Sequence, residues 1–160
     1  MEENSKNIKM IPVIAMRGLV CFPKLVMHFD VAREISVKAV EEALKGDRMV
    51  FLTAQKDIFV DEPAKTDLFK IGVIAEIKQT LKTPDNILRV LVEGISRARI
   101  TDLINSDGML KCSVKKLPDY SRAEHDEIEL AAASRSVKEI FEQYAALVPR
   151  MPRELIGSVM

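Results

Sequence analysis

The chain has 160 residues, with 24 Lys plus Arg balanced by 24 Asp plus Glu, and a formal charge of zero. Roughly two thirds of the unfolded surface of a chain this long can be buried, so a full core forms without staples. Charge balance leaves no global basic field for a nucleic-acid backbone, and any polyanion would need a local patch. Tryptophan is absent and aromatics are few, which disfavours a base-stacking platform. Cys21 and Cys112 lie in separate apolar segments without metal-ligand spacing, and read as free thiols in a reducing cytoplasm. No apolar run approaches the ~18 residues needed to cross a bilayer, so a cytoplasmic protein without a membrane partner is expected.

Residues 1–9 are polar and read as a flexible N-terminus. From Ile11 to Val31 two apolar runs flank a turn, Arg17-Gly-Leu-Val-Cys-Phe-Pro23. Ile11 to Met16 is apolar on both faces, as in a strand covered on two sides, and Leu25 to Val31 repeats that character. Gly18 relaxes φ and Pro23 removes an N–H, so the segment between them is expected to leave the ladder as an exposed turn. It carries Leu19, Val20 and Phe22 where loop chemistry is ordinarily polar.

Arg33 to Lys45 places Ile35, Ala39, Val40, Ala43 and Leu44 near one helical face, with Gly46 as a stop. Arg48 to Thr53 reads as a buried strand. Gln55 to Asp67 is a polar surface connection, with a short turn near Thr66 to Phe69. Gly72 to Lys82 alternates as a half-buried strand, with Val73, Ala75, Ile77 and Leu81 on one face. Thr83 to Asn86 is a turn, and Ile87 to Glu93 returns along that strand as a hairpin. Gly94 predicts a bulge or bend, followed by a strand from Ile95 to Leu103 with Arg97 and Arg99 on one face. Asn105 to Gly108 turns into a final strand, Met109 to Leu117.

Pro118 marks a change of regime. Ser121-Arg-Ala-Glu124 matches a capping box, and a long helix to about Val148 carries Val137, Ile140, Phe141, Tyr144, Leu147 and Val148 as a stripe. Pro149 and Pro152 end it. Arg153 to Met160 starts another helix whose apolar face, Leu155, Ile156 and Val159, has nothing after it to cover it, so self-association through that face is an expectation.

Chemistry is sparse. There is no phosphate-cradling Gly-rich loop and no nucleophile elbow. His28 and Asp30 share a strand face but lack a nucleophile; Cys21 reads as a small buried hydrophobe instead. Arg89, Arg97 and Arg99 could form a basic stripe, yet Glu76 and Glu93 are placed to neutralise it across the hairpin.

Two ordered blocks carry a family resemblance. IPVIAMRGLVCFPKLVMHFDVAREISVKAVEEAL resembles the opening of the N-terminal domain of Lon proteases, with its P-L-R type turn, its F-P and its V-G-R-x-x-S helix start. DLFKIGVIAEIKQTLKTPDNILRVLVEGISRARI is similar to that family's hairpin, with I-G-x-x-A-x-I, L-P-D-G and L-V-E-G-x-x-R landmarks. Met16, Lys24, Ala32 and Asn86 depart from the family pattern. Lys24 and Ala32 replace glycines, which suggests loops free of glycine-only conformations.

The resemblance implies an α+β fold: a PUA-like, mostly antiparallel β domain over residues 10–118, followed by an α-helical subdomain with one long helix over 119–160. It implies a non-catalytic domain that captures unfolded, damaged or tagged proteins and assists assembly of a hexameric ring. ATP, magnesium and a Ser-Lys dyad belong to other modules of the parent, so no cofactor is expected in these residues. Arg33 and Glu34 match a helix start associated with substrate handling and subunit contact; read alone, they cap the helix. The physical expectation for client binding is an adaptable apolar patch of Met16, Leu19, Val20 and Phe22, joined by Met27. The rival readings are a stand-alone Lon-like adaptor or ligand-binding domain, and a PUA-like RNA-binding module.

Overall fold

The computed structural model describes residues 10–85, 87–118 and 127–148, together with Ile156, Gly157 and Val159. The chain divides into two compact units, Met1–Pro118 and Asp119–Met160. The first contains β1 (Ile11–Met16), β2 (Val26–Val31), α1 (Glu34–Lys45), β3 (Met49–Ala54), a 3-10 turn (Lys65–Asp67), β4 (Ile71–Lys82), β5 (Leu88–Ser106) and β6 (Met109–Lys116).

The strands form one mixed sheet in the order β2-β5-β4-β3-β1-β6, and β5 also pairs with β6. The ladder therefore closes through β5, β4, β3, β1, β6 and back to β5, with β2 added to a free stretch of β5. Pairing is antiparallel except for β1 against β3, where Val13 lies beside Phe51 and Met16 beside Ala54. Closure explains why β1 and β3 are apolar on both faces. Ile14, Met16, Val50, Leu52, Val73, Ala75 and Ile77 enter one core cluster with Ala39, Val40 and Ala43 of α1. Their sequence neighbours Val13, Ala15, Phe51 and Ile74 enter a second cluster with Leu68, Ala98, Leu110 and Cys112. The two-residue side-chain period of each strand supplies both layers.

β5 is a single 19-residue strand, not the two strands that the sequence pattern suggests. One edge pairs with β4; the other pairs with β2 at Leu88 to Glu93 and with β6 at Ala98 to Ser106. Bulges let it bend around the barrel: Gly94 faces Ala75 and Ser96 faces Ile74, leaving Ile95 as the extra residue. A second irregularity lies between Ile100 and Asp102. Asp107 and Gly108, both at positive φ, then make the tight turn into β6.

Three expected burials are corrected. β2 is buried only at Phe29 and Val31 and alternates with solvent, because it is an edge strand paired on one side. Leu44 is exposed, and Ser36 takes a buried place on α1. Leu81 is exposed because β4 runs beyond the closed barrel at its far end. The expected neutralisation of Arg89 by Glu76 and Glu93 is also corrected, since other partners take their places. Arg89 lies opposite Asp30 and donates twice to its carboxylate, at 2.7 and 2.9 Å, which holds that carboxyl below its usual range. Glu76 and Glu93 face each other in the ladder, and Lys78 bridges them at 2.7 and 2.8 Å.

In the second unit, α2 (Glu127–Leu147) spans most of the expected long helix. Val137, Ile140, Tyr144 and Leu147 are exposed; Phe141 and Val148 are half-buried. Ile156 and Val159 are half-buried, so that face is partly covered, whereas Leu155, the Ser121–Glu124 capping box, Pro149, Pro152 and Asn86 lie outside the described residues. No helix among the described residues is long and apolar enough to cross a membrane.

Both thiols are buried. Desolvation pushes Cys112 up to about 12 and raises Cys21. Thiolate is the reactive form, so iodoacetamide at pH 8 is expected to label neither cysteine of the native domain and both after urea unfolding, read by mass spectrometry.

Candidate functional site

The segment between β1 and β2 is fixed by the backbone and leaves its side chains outside. Lys24 N–H donates to the Gly94 carbonyl at 2.8 Å, and Gly94 N–H donates to the Leu25 carbonyl at 2.9 Å. These two bonds extend the β2 ladder onto the β5 bulge. The approach is so close that a Cβ on Gly94 would stand 2.2 Å from the Phe22 carbonyl oxygen and 3.3 Å from Cys21 Sγ. Cys21 is drawn into the core, and its neighbours on either side are turned out.

Leu19, Val20 and Phe22 are 45, 56 and 60% exposed. Met16, expected beside them, is only 3% exposed: as the last residue of β1 it points into the cluster under α1. Met27 is half-buried against the same cluster. The turn sits between two concavities that share Met16 as a wall. One, about 290 Å³, is bordered by Leu19 and by Phe29 and Val31 of β2. The other, about 420 Å³, runs from Val20 to Phe69 and Ile71, themselves half exposed to solvent.

Lys24 stands at φ +65°. The expectation that its replacement of glycine marks an ordinary loop is thus overturned: the position adopts the left-handed conformation that glycine favours, because Leu25 N–H must reach back to the Phe22 carbonyl. Ala32 is not among the positive-φ residues.

A polar clamp braces the turn from its first residue. Arg17 Nη2 donates to the Val60 carbonyl at 2.9 Å and to Asp61 Oδ1 at 2.7 Å, and this partner holds the Asp61 carboxyl below its usual range. Gln55 is buried; its amide donates to the carbonyls of Asp57 and Val60, and its oxygen accepts from Arg33 at 3.0 Å. Arg33 also donates to the carbonyls of Asp61 and Ala15. Burial, and then the charge of Arg17, keep the Arg33 guanidinium below its usual pKa. Arg33 is the residue before α1, but its side chain caps nothing; it ties β1 to the 56–62 loop. Glu34 is exposed and pairs with Lys38 one turn on, at 2.7 Å.

That loop displays what the sequence reading missed. Phe59 is 85% exposed and Ile58 is also exposed, at the tip of a segment read as a polar connection. The signal was the Ile-Phe pair between Asp57 and Asp61, masked by its charged surroundings. Phe59 N–H is held by Asp57 Oδ1 at 2.9 Å, so the tip is a defined turn. No group of three or more potential metal ligands occurs among the described residues.

These features define an α+β binding domain: a closed barrel whose surface loops hold apolar side chains out in fixed positions. Residues 10–160 match the model of the ATP-dependent protease La (LON) substrate-binding domain, and the chain belongs to that family. It is 42% identical over 156 residues to the Lon protease of Desulforamulus reducens, covering 98% of this chain and 19% of that protein. Against the Lon protease of Heliobacterium modesticaldum it is 40% identical over 159 residues, covering 99% of this chain and 19% of that protein. The chain thus spans about a fifth of the length of these curated relatives. The fold matches the N-terminal domain of the Mycobacterium avium complex Lon protease with a TM-score of 0.70 at 19% identity, over 94% of this chain and 74% of that one. It matches a Lon N-terminal domain protein from Xanthomonas campestris with a TM-score of 0.57 at 15% identity, over 96% and 90%.

Gly94→Ala is expected to lower stability by about 1–3 kcal/mol, since the obstacle is a backbone carbonyl that cannot rotate away. Lys24→Gly should instead raise it, by up to ~1 kcal/mol, by relieving the left-handed strain. Urea melts of the two variants check both signs.

Proposed function

We propose that this domain captures unfolded or damaged proteins for a Lon protease and assists assembly of its ring, and that it hydrolyses neither peptide nor ATP itself. Nucleotide, magnesium and the Ser-Lys dyad belong to other modules of such a protease. The observation that carries the reading is the set of exposed side chains Leu19, Val20 and Phe22 on a turn fixed to the barrel by the Gly94 bonds. Family membership over residues 10–160 supports it.

Magnitudes suit transient capture. Burying a large apolar side chain is worth ~1.5–3 kcal/mol, and association itself opposes binding by at least ~4 kcal/mol. Three such contacts, with Phe59 as an added one, give affinity weak enough for a client to be passed on. On the β2–β5–β4 face Arg89 is engaged by Asp30 and Lys78 by two glutamates, which weighs against that face as a track for a nucleic-acid backbone.

Phe22→Ser or Leu19→Ser should weaken binding of a reduced, unfolded client by about tenfold, equivalent to ~1.4 kcal/mol, with unchanged urea midpoints. Met16→Ala should do the reverse, lowering stability by ~2–5 kcal/mol as a core truncation. Unchanged affinity in both serine variants, with NMR shifts confined to residues beyond Pro118, would refute the turn as the receptor surface.

A further inference from the structure

We propose that the concavity between Leu19 and Arg33 is a subsite for the C-terminal residue of a client, with Arg17 and Arg33 receiving its free α-carboxylate; this rests on the protein-binding reading above. The concavity is about 290 Å³, near the lower limit of ~300 Å³ for small-ligand sites and large enough for one residue. Its walls are mainly apolar, including Ile14, Leu19, Phe29 and Val31, yet Arg17 and Arg33 are also among its lining residues.

The charges at this place do not balance. Arg17 bonds the Asp61 carboxylate and the Val60 carbonyl, whereas the acceptors on Arg33 are the Gln55 amide oxygen and the backbone carbonyls of Asp61 and Ala15. The other acid on the wall, Asp30, is held bidentately by Arg89. Among the described residues the bonds of Arg17 run through Nη2, which leaves its Nε and Nη1 donors for an incoming anion. Arg33 is depressed by burial and by the like charge of Arg17, so an anion placed beside it favours its charged form.

An apolar side chain and a carboxylate on one Cα are what a chain terminus offers. Within an extended segment, an acidic residue and its apolar neighbour point to opposite sides and would not enter one small concavity together. A guanidinium is also the side chain best suited to a planar carboxylate, through paired charge-assisted bonds.

The test compares two fluorescein-labelled peptides of one sequence ending in leucine, one with a free carboxylate and one amidated, by polarisation with the full 160-residue chain. The acid should bind about tenfold tighter than the amide, as for a charge-assisted bond of ~1.4 kcal/mol. Arg17→Gln should bring the two within about twofold, and Asp61→Asn, which removes the competing carboxylate, should widen the gap. Equal binding of acid and amide to the unaltered chain, or a preference that survives Arg17→Gln, overturns the subsite. A reduced client with a blocked C-terminus separates the two readings. If it shields the Phe22 turn from crosslinking while acid and amide bind alike, the subsite fails and client capture stands; if neither the blocked client nor its free-acid form binds, both fail.

Discussion

The contact between Gly94 and the Phe22 carbonyl is the constraint on which the exposed surface depends. A residue without a Cβ on the β5 bulge lets the 17–25 segment lie directly on the strand, where two reciprocal backbone bonds lock it. This happens in the stretch of β5 edge left between β2 and β6, so the same strand closes the barrel and seats the loop. Any other residue at position 94 would lift the turn and with it the placement of Val20 and Phe22. The loop accepts a left-handed Lys24 to keep that registry.

The barrel behind this contact follows from strands that bury both faces. In β1 and β3 every second residue serves one core cluster and the alternate residues serve the other, so few polar side chains fit there. Thr53 of β3, and Gln55 just past its end, are instructive buried polar residues. Thr53 donates its hydroxyl to the Phe69 carbonyl, and Gln55 satisfies three polar partners, so neither is left buried without a bond.

Much of this was legible in the sequence because it rests on local patterning. The doubly apolar run at Ile11, the hairpin around Thr83 and the bulge at Gly94 all follow from side-chain period and from the glycine and proline positions. The exposure of Leu19 and Phe22 was legible for a related reason, as apolar residues inside a turn that cannot join a ladder, whereas Val20 reads equally as a residue packed under the helix from Arg33 and is found exposed. What was not legible depends on distant partners. Met16 reads like Leu19 until the parallel pairing with β3 draws it into the core. β2 reads like β1 until its place at the sheet edge is known. Phe59 could not be assigned a fixed position before Gln55, Arg17 and Arg33 were seen to clamp its loop from residues 5 to 44 positions away.

Under the proposed capture of clients, that clamp has a consequence for how they would be distinguished. Because Arg17 and Arg33, at the two ends of the β1–α1 connection, reach the same loop, the Leu19 turn and the Phe59 tip belong to one braced frame. A receptor already ordered in its binding geometry gives up little conformational entropy on association. The ordering penalty then falls almost wholly on the client. Chains that are extended and locally stiff lose least, so the domain would rank its clients by how little freedom they surrender as well as by how apolar they are.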